Sequence, residues 1–129
     1  MTDYSDAASA KLEKPENYKF DFIPVKENNL IIEWVYPEFQ SICPVSKRHD
    51  QGTLTLTYIP GDKLLESKSM REYLSMWRNM RNWQEYITEE IADSVFKALD
   101  PKGLKVEIEW TPRGGIFART VSIKGESID

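Results

Sequence analysis

The sequence predicts an α+β domain, an antiparallel sheet with both helices on one face. Three observations predict it. Strand-period segments come first, a long stretch of helical period follows, and two more strand-period segments close the chain. Runs of strands and runs of helices that are segregated in this way suit an antiparallel sheet better than a parallel one.

Residues 18–25 (YKFDFIPV) place Tyr18, Phe20 and Phe22 on one face, and residues 29–36 (NLIIEWVY) do the same with Leu30, Ile32, Trp34 and Tyr36. Alternation at period two marks a strand with one buried side. The polar link Lys26–Asn29 predicts a hairpin between them. Pro37–Gln51 has no clear period and reads as a loop that holds both Cys43 and His49. In 52–59 (GTLTLTYI), Leu54, Leu56 and Tyr58 oppose Thr53, Thr55 and Thr57, and Pro60-Gly61-Asp62 ends the strand.

Across 64–99 the apolar spacing becomes helical. Met70, Tyr73, Leu74 and Trp77 form one stripe. Ile87, Ile91, Val95 and Ala98 form a second after the polar break Arg78–Asn82. Ser67 or Ser69 is the expected N-cap of the first helix. Asp100-Pro101-Lys102-Gly103 stops the second helix. Residues 104–110 alternate again, Pro112–Gly115 makes a tight turn, and 116–124 is the last strand. An antiparallel sheet covered on one side leaves edges that must be paired or protected.

Composition excludes several functions. The chain has 129 residues, one domain's worth, with 17 basic and 21 acidic side chains and a net charge of −4. An acidic balance argues against nucleic acid as the main partner, because phosphate neutralisation needs a basic face. One cysteine and one histidine cannot build an internal disulfide or a four-ligand zinc site, so no metal is expected. Residues 1–16 read as a flexible polar tail and 17–129 as a single domain. There is no secretory signal and no stretch of the roughly 20 apolar residues that a membrane span needs, so a cytoplasmic protein is expected.

Several side chains suggest chemistry. Cys43 has Lys47, Arg48 and His49 close in sequence, and positive charge favours a thiolate; a buried, inert thiol is the plainer alternative. Asp50, seven residues on, is placed to donate a proton near the sulfur, or is a turn aspartate. His49 is a possible base for Cys43. Glu66-Ser67-Lys68-Ser69, with Arg71, reads either as a phosphate-receiving helix start or as an ordinary cap. Glu85 is suited to accept two hydrogen bonds from a guanine-like edge, and Trp83 to pack on a flat base.

Taken together, PEFQSICP, Asp50, the Thr-rich strand, ESKSMREYL, WRN, WQE and TPRGG resemble the 7-cyano-7-deazaguanine reductases, the QueF family of nitrile reductases in queuosine biosynthesis. The resemblance covers roughly residues 37–115. It implies the tunnelling fold (two strands, two helices, two strands), closed into a multi-subunit barrel built from pentamers with sites between subunits. It also implies roles. Cys43 matches the nucleophile that forms a covalent thioimide with the nitrile, and Asp50 the proton donor. Leu65, Glu66, Ser67, Gln84 and Glu85 match substrate-binding positions. Lys68, Ser69 and Arg71 match the NADPH motif, with Arg71 in place of a lysine. Gln84 stands where the family usually has histidine, and Gln51 where it has phenylalanine.

Three readings follow. The first is NADPH-dependent reduction of 7-cyano-7-deazaguanine to the aminomethyl compound. The second is the archaeal QueF-like amidine-forming reaction, in which ammonia attacks the same thioimide on tRNA; only this one requires a nucleic acid. The third is a non-catalytic purine-like binding protein on the same fold.

Overall fold

The computed structural model describes residues 12–27 and 29–128. In chain order the elements are β1 (Phe22–Pro24), β2 (Ile32–Ile42), β3 (His49–Ile59), β4 (Lys63–Leu65), α1 (Ser67–Met76), a 3-10 turn (Trp77–Asn79), α2 (Gln84–Leu99), β5 (Gly103–Arg113) and β6 (Ile116–Gly125). Four strands make one antiparallel sheet in the order β2-β3-β5-β6, and β1 pairs with β4 in a small second sheet.

The alternation in β3 and β5 builds the core. Leu54, Leu56 and Tyr58 point the same way as Leu104, Val106, Ile108 and Trp110, and all are buried. Onto this face α1 lays Met70, Tyr73 and Leu74, the 3-10 turn adds Trp77, and α2 adds Ile87, Ile91, Ala92, Val95 and Leu99. Full burial of each large aliphatic or aromatic side chain contributes about 1.5–3 kcal/mol before entropy is counted, so this one face carries most of the stabilisation. Asp100 adopts a left-handed conformation (φ 52°) as the C-cap of α2, with Pro101 next. Gly114 and Gly115, both at positive φ, form the two-residue turn between β5 and β6.

The opposite sheet face carries Glu33, Val35, Thr53, Thr55, Lys105, Glu107, Arg119, Val121 and Ile123, with Arg119 paired to Glu107 at 2.8 Å. Val35, Val121 and Ile123 are exposed there, and β2 and β6 are the sheet's two edges.

The expected α+β order holds, with antiparallel sheets and two helices, and three expectations are corrected. The first strand shortens to three residues and pairs with β4 instead of β2. The reason lies in its aromatic residues: Tyr18 and Phe20 pack at a tilt against Tyr73 (centroids 5.5 and 4.9 Å), and Asp21 bonds to Glu66 and Ser69 at the start of α1. The chain therefore follows α1, and the Lys26–Asn29 link does not close a hairpin; Asn28 lies outside the described residues. Secondly, β2 runs on to Ile42 and β3 starts at His49, so most of the expected loop is strand. A register shift between Tyr36 and Phe39 resets which residues face inward, and this broke the period. Finally, Glu66, not Ser67 or Ser69, caps α1: its carboxylate accepts from the N–H groups of Lys68 and Ser69, both at 2.8 Å.

Residues 1–11 of the expected tail lie outside the described residues. Its end is attached: Glu13 N donates to Arg81 O (2.7 Å), Asn82 Nδ2 donates to Glu13 O (2.9 Å), and Lys14 pairs with Glu90 (3.2 Å). Among the described residues no helix is long and apolar enough to cross a membrane.

Candidate active site

Cys43 follows the last residue of β2, where the chain turns back toward β3. Cys43 N donates to Arg48 O (2.9 Å) and Lys47 N to Cys43 O (3.0 Å), and Lys47 takes a left-handed conformation (φ 62°) to close the turn. Antiparallel pairing sets Ser41 opposite Asp50 and Ile42 opposite His49. This pairing returns Asp50, only 5% exposed, to the neighbourhood of the thiol. Successive strand residues point to opposite faces. His49 and Gln51 are accordingly exposed on the side away from Asp50, and His49 does not line the cleft that holds Cys43. His49 is thus not the base for Cys43 that its sequence position suggested.

The other wall is the start of α2. Ile42 N donates to Met80 O (2.9 Å) and Asn82 N to Ile42 O (3.1 Å), so the end of β2 is stitched to the segment that leads into Trp83, Gln84 and Glu85. Trp110 on β5 lies between the walls. Its Nε1 donates to Thr120 Oγ1 (3.0 Å), and Thr120 shares a 2.6 Å bond with Thr88, which in turn donates to Gln84 O. Arg113 closes the rim, with Nη1 2.5 Å from Asp50 Oδ1 and Nη2 2.7 Å from Ser46 Oγ. The resulting cleft of about 630 Å³ is lined by Cys43, Asp50, Trp83, Gln84, Glu85, Trp110 and Arg113 among others.

The electrostatics suit a nucleophile. Partial burial pushes the Cys43 thiol up, but hydrogen bonds from the Ser46 side chain and from the Ser46 and Val45 backbone outweigh it, and the thiol lies below its ordinary value despite the charge of Asp50. A thiolate at this position has a carboxyl group, a flat indole and two side chains with hydrogen-bonding ends (Gln84 and Glu85) around one space. That set is suited to hold a planar, polar-edged ring and to add sulfur to an electrophilic carbon on it.

The other expected residues lie elsewhere on the chain. Leu65 is buried, and its N–H donates to Tyr58 Oη (3.0 Å). The Glu66 carboxylate is committed to the α1 cap, and those two backbone hydrogen bonds hold it below the usual carboxylate range. Ser69 is buried, with its hydroxyl accepting from Asp21 N (2.8 Å). Ser67, Lys68 and Arg71 are exposed, and Arg71 shares a separate cleft with Tyr36 and Arg78. A single chain therefore brings together Cys43, Asp50, Gln84 and Glu85, and leaves Leu65–Arg71 apart from them. Sequence reasoning assigned no role to Trp110 or Arg113. The pairing of Gly52 with Trp110 carries the end of β5 to Asp50, so a known strand order was the missing signal.

The chain is similar to known proteins in sequence and in fold. A family model described as QueF-like protein matches residues 49–127. The NADPH-dependent 7-cyano-7-deazaguanine reductase of Caldicellulosiruptor bescii is 38% identical over 112 residues, covering 85% of this chain and 86% of that protein. The protein of the same name from Rhodopirellula baltica is 39% identical over 119 residues, covering 91% and 93%. Among solved structures, the apo form of the archaeosine synthase QueF-Like is similar in fold, with a TM-score of 0.70 at 20% identity over 76% of this chain and 96% of that one. With a family model that matches most of the chain and relatives aligned along nearly all of it, the chain belongs to the QueF-like family.

Proposed function

We propose that the protein is an NADPH-dependent oxidoreductase that reduces the nitrile of 7-cyano-7-deazaguanine to an aminomethyl group, supplying queuosine biosynthesis. The observation that carries this reading is the shared cleft of Cys43, Asp50 and Glu85, in a chain whose relatives at 38–39% identity are named for that reaction. Glu85 accepts hydrogen bonds from the guanine-like edge, Trp83 packs on the ring, and Gln84 hydrogen-bonds beside them. Cys43 attacks the nitrile carbon. The S–H proton passes to Asp50 and from it to the nitrile nitrogen, a C–S bond forms, and the triple bond becomes C=N, so the thiol has added across the nitrile without a further reactant.

NADPH supplies hydride when bound; two equivalents with two protons complete the conversion of nitrile to amine. The exposed cations Lys68 and Arg71 fit its phosphates. The buried hydroxyl of Ser69 fits a supporting role at the same helix start. Leu65, Glu66 and Ser67 reach a substrate only from a neighbouring copy, because they do not line the Cys43 cleft of their own chain. The open β2 and β6 edges and the exposed Val35, Val121 and Ile123 support closure with other copies into a pentamer-built barrel, with residues 17–129 as its single catalytic unit.

Gln84 favours a second reading. An amide cannot titrate, and amidine formation by ammonia on the same thioimide, with the nitrile in tRNA, needs no hydride. Intact mass after incubation with the free nitrile, followed by NADPH or ammonia, separates the two. Reduction predicts a ligand-sized adduct on Cys43 that NADPH clears, with two NADPH oxidised per amine. An adduct that NADPH leaves intact overturns it.

A further inference from the structure

We propose that Arg113 is a positioning residue for the nucleophile: its guanidinium ties the turn that carries Cys43 to Asp50 and keeps a positive charge beside both. The inference rests on the reading above in that Cys43 is taken as the attacking group.

Arg113 is the last residue of β5, set by a register shift after Trp110. Its two terminal nitrogens go to different elements. Nη1 lies 2.5 Å from Asp50 Oδ1 at the start of β3, and Nη2 lies 2.7 Å from Ser46 Oγ within the Cys43 turn. Ser46 is the residue whose side chain and backbone stabilise the Cys43 thiolate. One planar fork thus fixes the distance between the turn and the proton carrier, which a single ammonium group is not shaped to do.

The charge is as placed as the fork. The groups lining the cleft around Cys43 are Asp50 from β3, Glu85 from α2, Arg48 from its own turn and Arg113 from β5. The Asp50 carboxylate opposes a thiolate. Asp50 is almost fully buried, and Arg113 is its ion-pair partner. The hydrogen bond to Asp50 raises Arg113 above its ordinary value, and Cys43 adds to this, so the cation persists wherever the thiol titrates. Without Arg113, a buried carboxylate next to the sulfur loses its counter-charge.

The test uses the full chain, in which Cys43 is the only cysteine. Alkylation by iodoacetamide is followed by intact mass against pH for wild type, R113M and R113K, together with the rate of adduct formation with 7-cyano-7-deazaguanine and the thermal midpoint. R113M is expected to raise the alkylation midpoint by about one pH unit and to slow adduct formation at least ~10-fold. R113K, which keeps the charge and loses the fork, is expected to hold the midpoint near wild type and still form adduct slowly. It also serves as the deciding variant if R113M does not fold. A lower thermal midpoint with an unchanged alkylation profile and an adduct rate within about twofold of wild type overturns the proposal. Wild type that alkylates normally but never forms the nitrile adduct overturns the proposed function instead, and the alkylation midpoints then decide the role of Arg113.

Discussion

Asn82 N donates to Ile42 O at 3.1 Å, so the residue before Cys43 is bonded to the loop that leads into Gln84 and Glu85. The two walls of the cleft are therefore one hydrogen-bonded unit, and the Asn82 side chain locks it further. Nδ2 donates to Glu13 O (2.9 Å), and Oδ1 accepts from Trp83 N (2.8 Å). Asn82→Ala removes both side-chain bonds at a buried position and is expected to destabilise the fold by about 1–3 kcal/mol. Chemical denaturation measures this. Nitrile binding is expected to weaken with it, because Glu85 loses its fixed approach; unchanged binding in a folded variant would refute that link.

Ser46 supplies the largest interaction that lowers the Cys43 thiol, against the burial that raises it. In wild type the reactive thiolate should persist to lower pH than in a free cysteine. Ser46→Ala should move the alkylation profile of Cys43 upward in pH, with little change in folding at this exposed turn. A profile that stays in place would show that the backbone N–H groups of Val45 and Ser46 suffice.

The Thr88–Thr120–Trp110 chain anchors the floor of the cleft to α2. Thr120→Val keeps the shape and removes the acceptor for a buried indole N–H. The expected cost is about 1–3 kcal/mol, the penalty for an unsatisfied buried donor, read from urea unfolding. Thr120→Ser retains the hydroxyl and should stay close to wild type.

Glu66 links stability to pH. Its carboxylate is held down first by the hydrogen bonds from Lys68 N and Ser69 N. A group whose folded value lies below its unfolded value stabilises the fold above the unfolded value. That contribution disappears as pH falls through the folded one. Glu66→Gln should lower the thermal midpoint at neutral pH, and the difference from wild type should shrink as the medium is acidified. A difference that is constant with pH would remove the charge from the explanation.

How much of this was legible in the sequence depends on periodicity. β3, β5 and β6 carry uninterrupted alternation or clean turn signals, and their interiors were found. The second half of β2 was hidden because the shift at Tyr36–Phe39 moves Phe39 and Ser41 onto the inward face out of phase with Trp34 and Tyr36. β1 was overcalled because Tyr18 and Phe20 alternate like a strand while packing on Tyr73. Cys43, Asp50 and Glu85 were candidates from their side-chain chemistry, and the family resemblance implied their roles. Arg113 was not given a role because its partner lies 63 positions away, and no local pattern connects them.

The separation of Leu65–Arg71 from the Cys43 cleft leads to the last prediction. If the site is completed by a neighbouring copy, two different defects should complement. Cys43→Ala removes the thiol and keeps Lys68 and Arg71; the double variant Lys68→Ala, Arg71→Ala keeps the thiol and removes the cations. Each alone should show almost no NADPH oxidation with the nitrile. Mixed and allowed to exchange subunits, they form some interfaces that carry an intact Cys43 from one copy and intact cations from the other. Activity should then rise toward about a quarter of wild type, the random-pairing limit for one functional interface type in four. Ile123→Asp, which places a charge on the exposed apolar face of β6, should reduce both assembly by light scattering and activity. Mixtures that stay inactive after demonstrated subunit exchange would place the whole site within one chain, and Lys68 and Arg71 would then lie outside it.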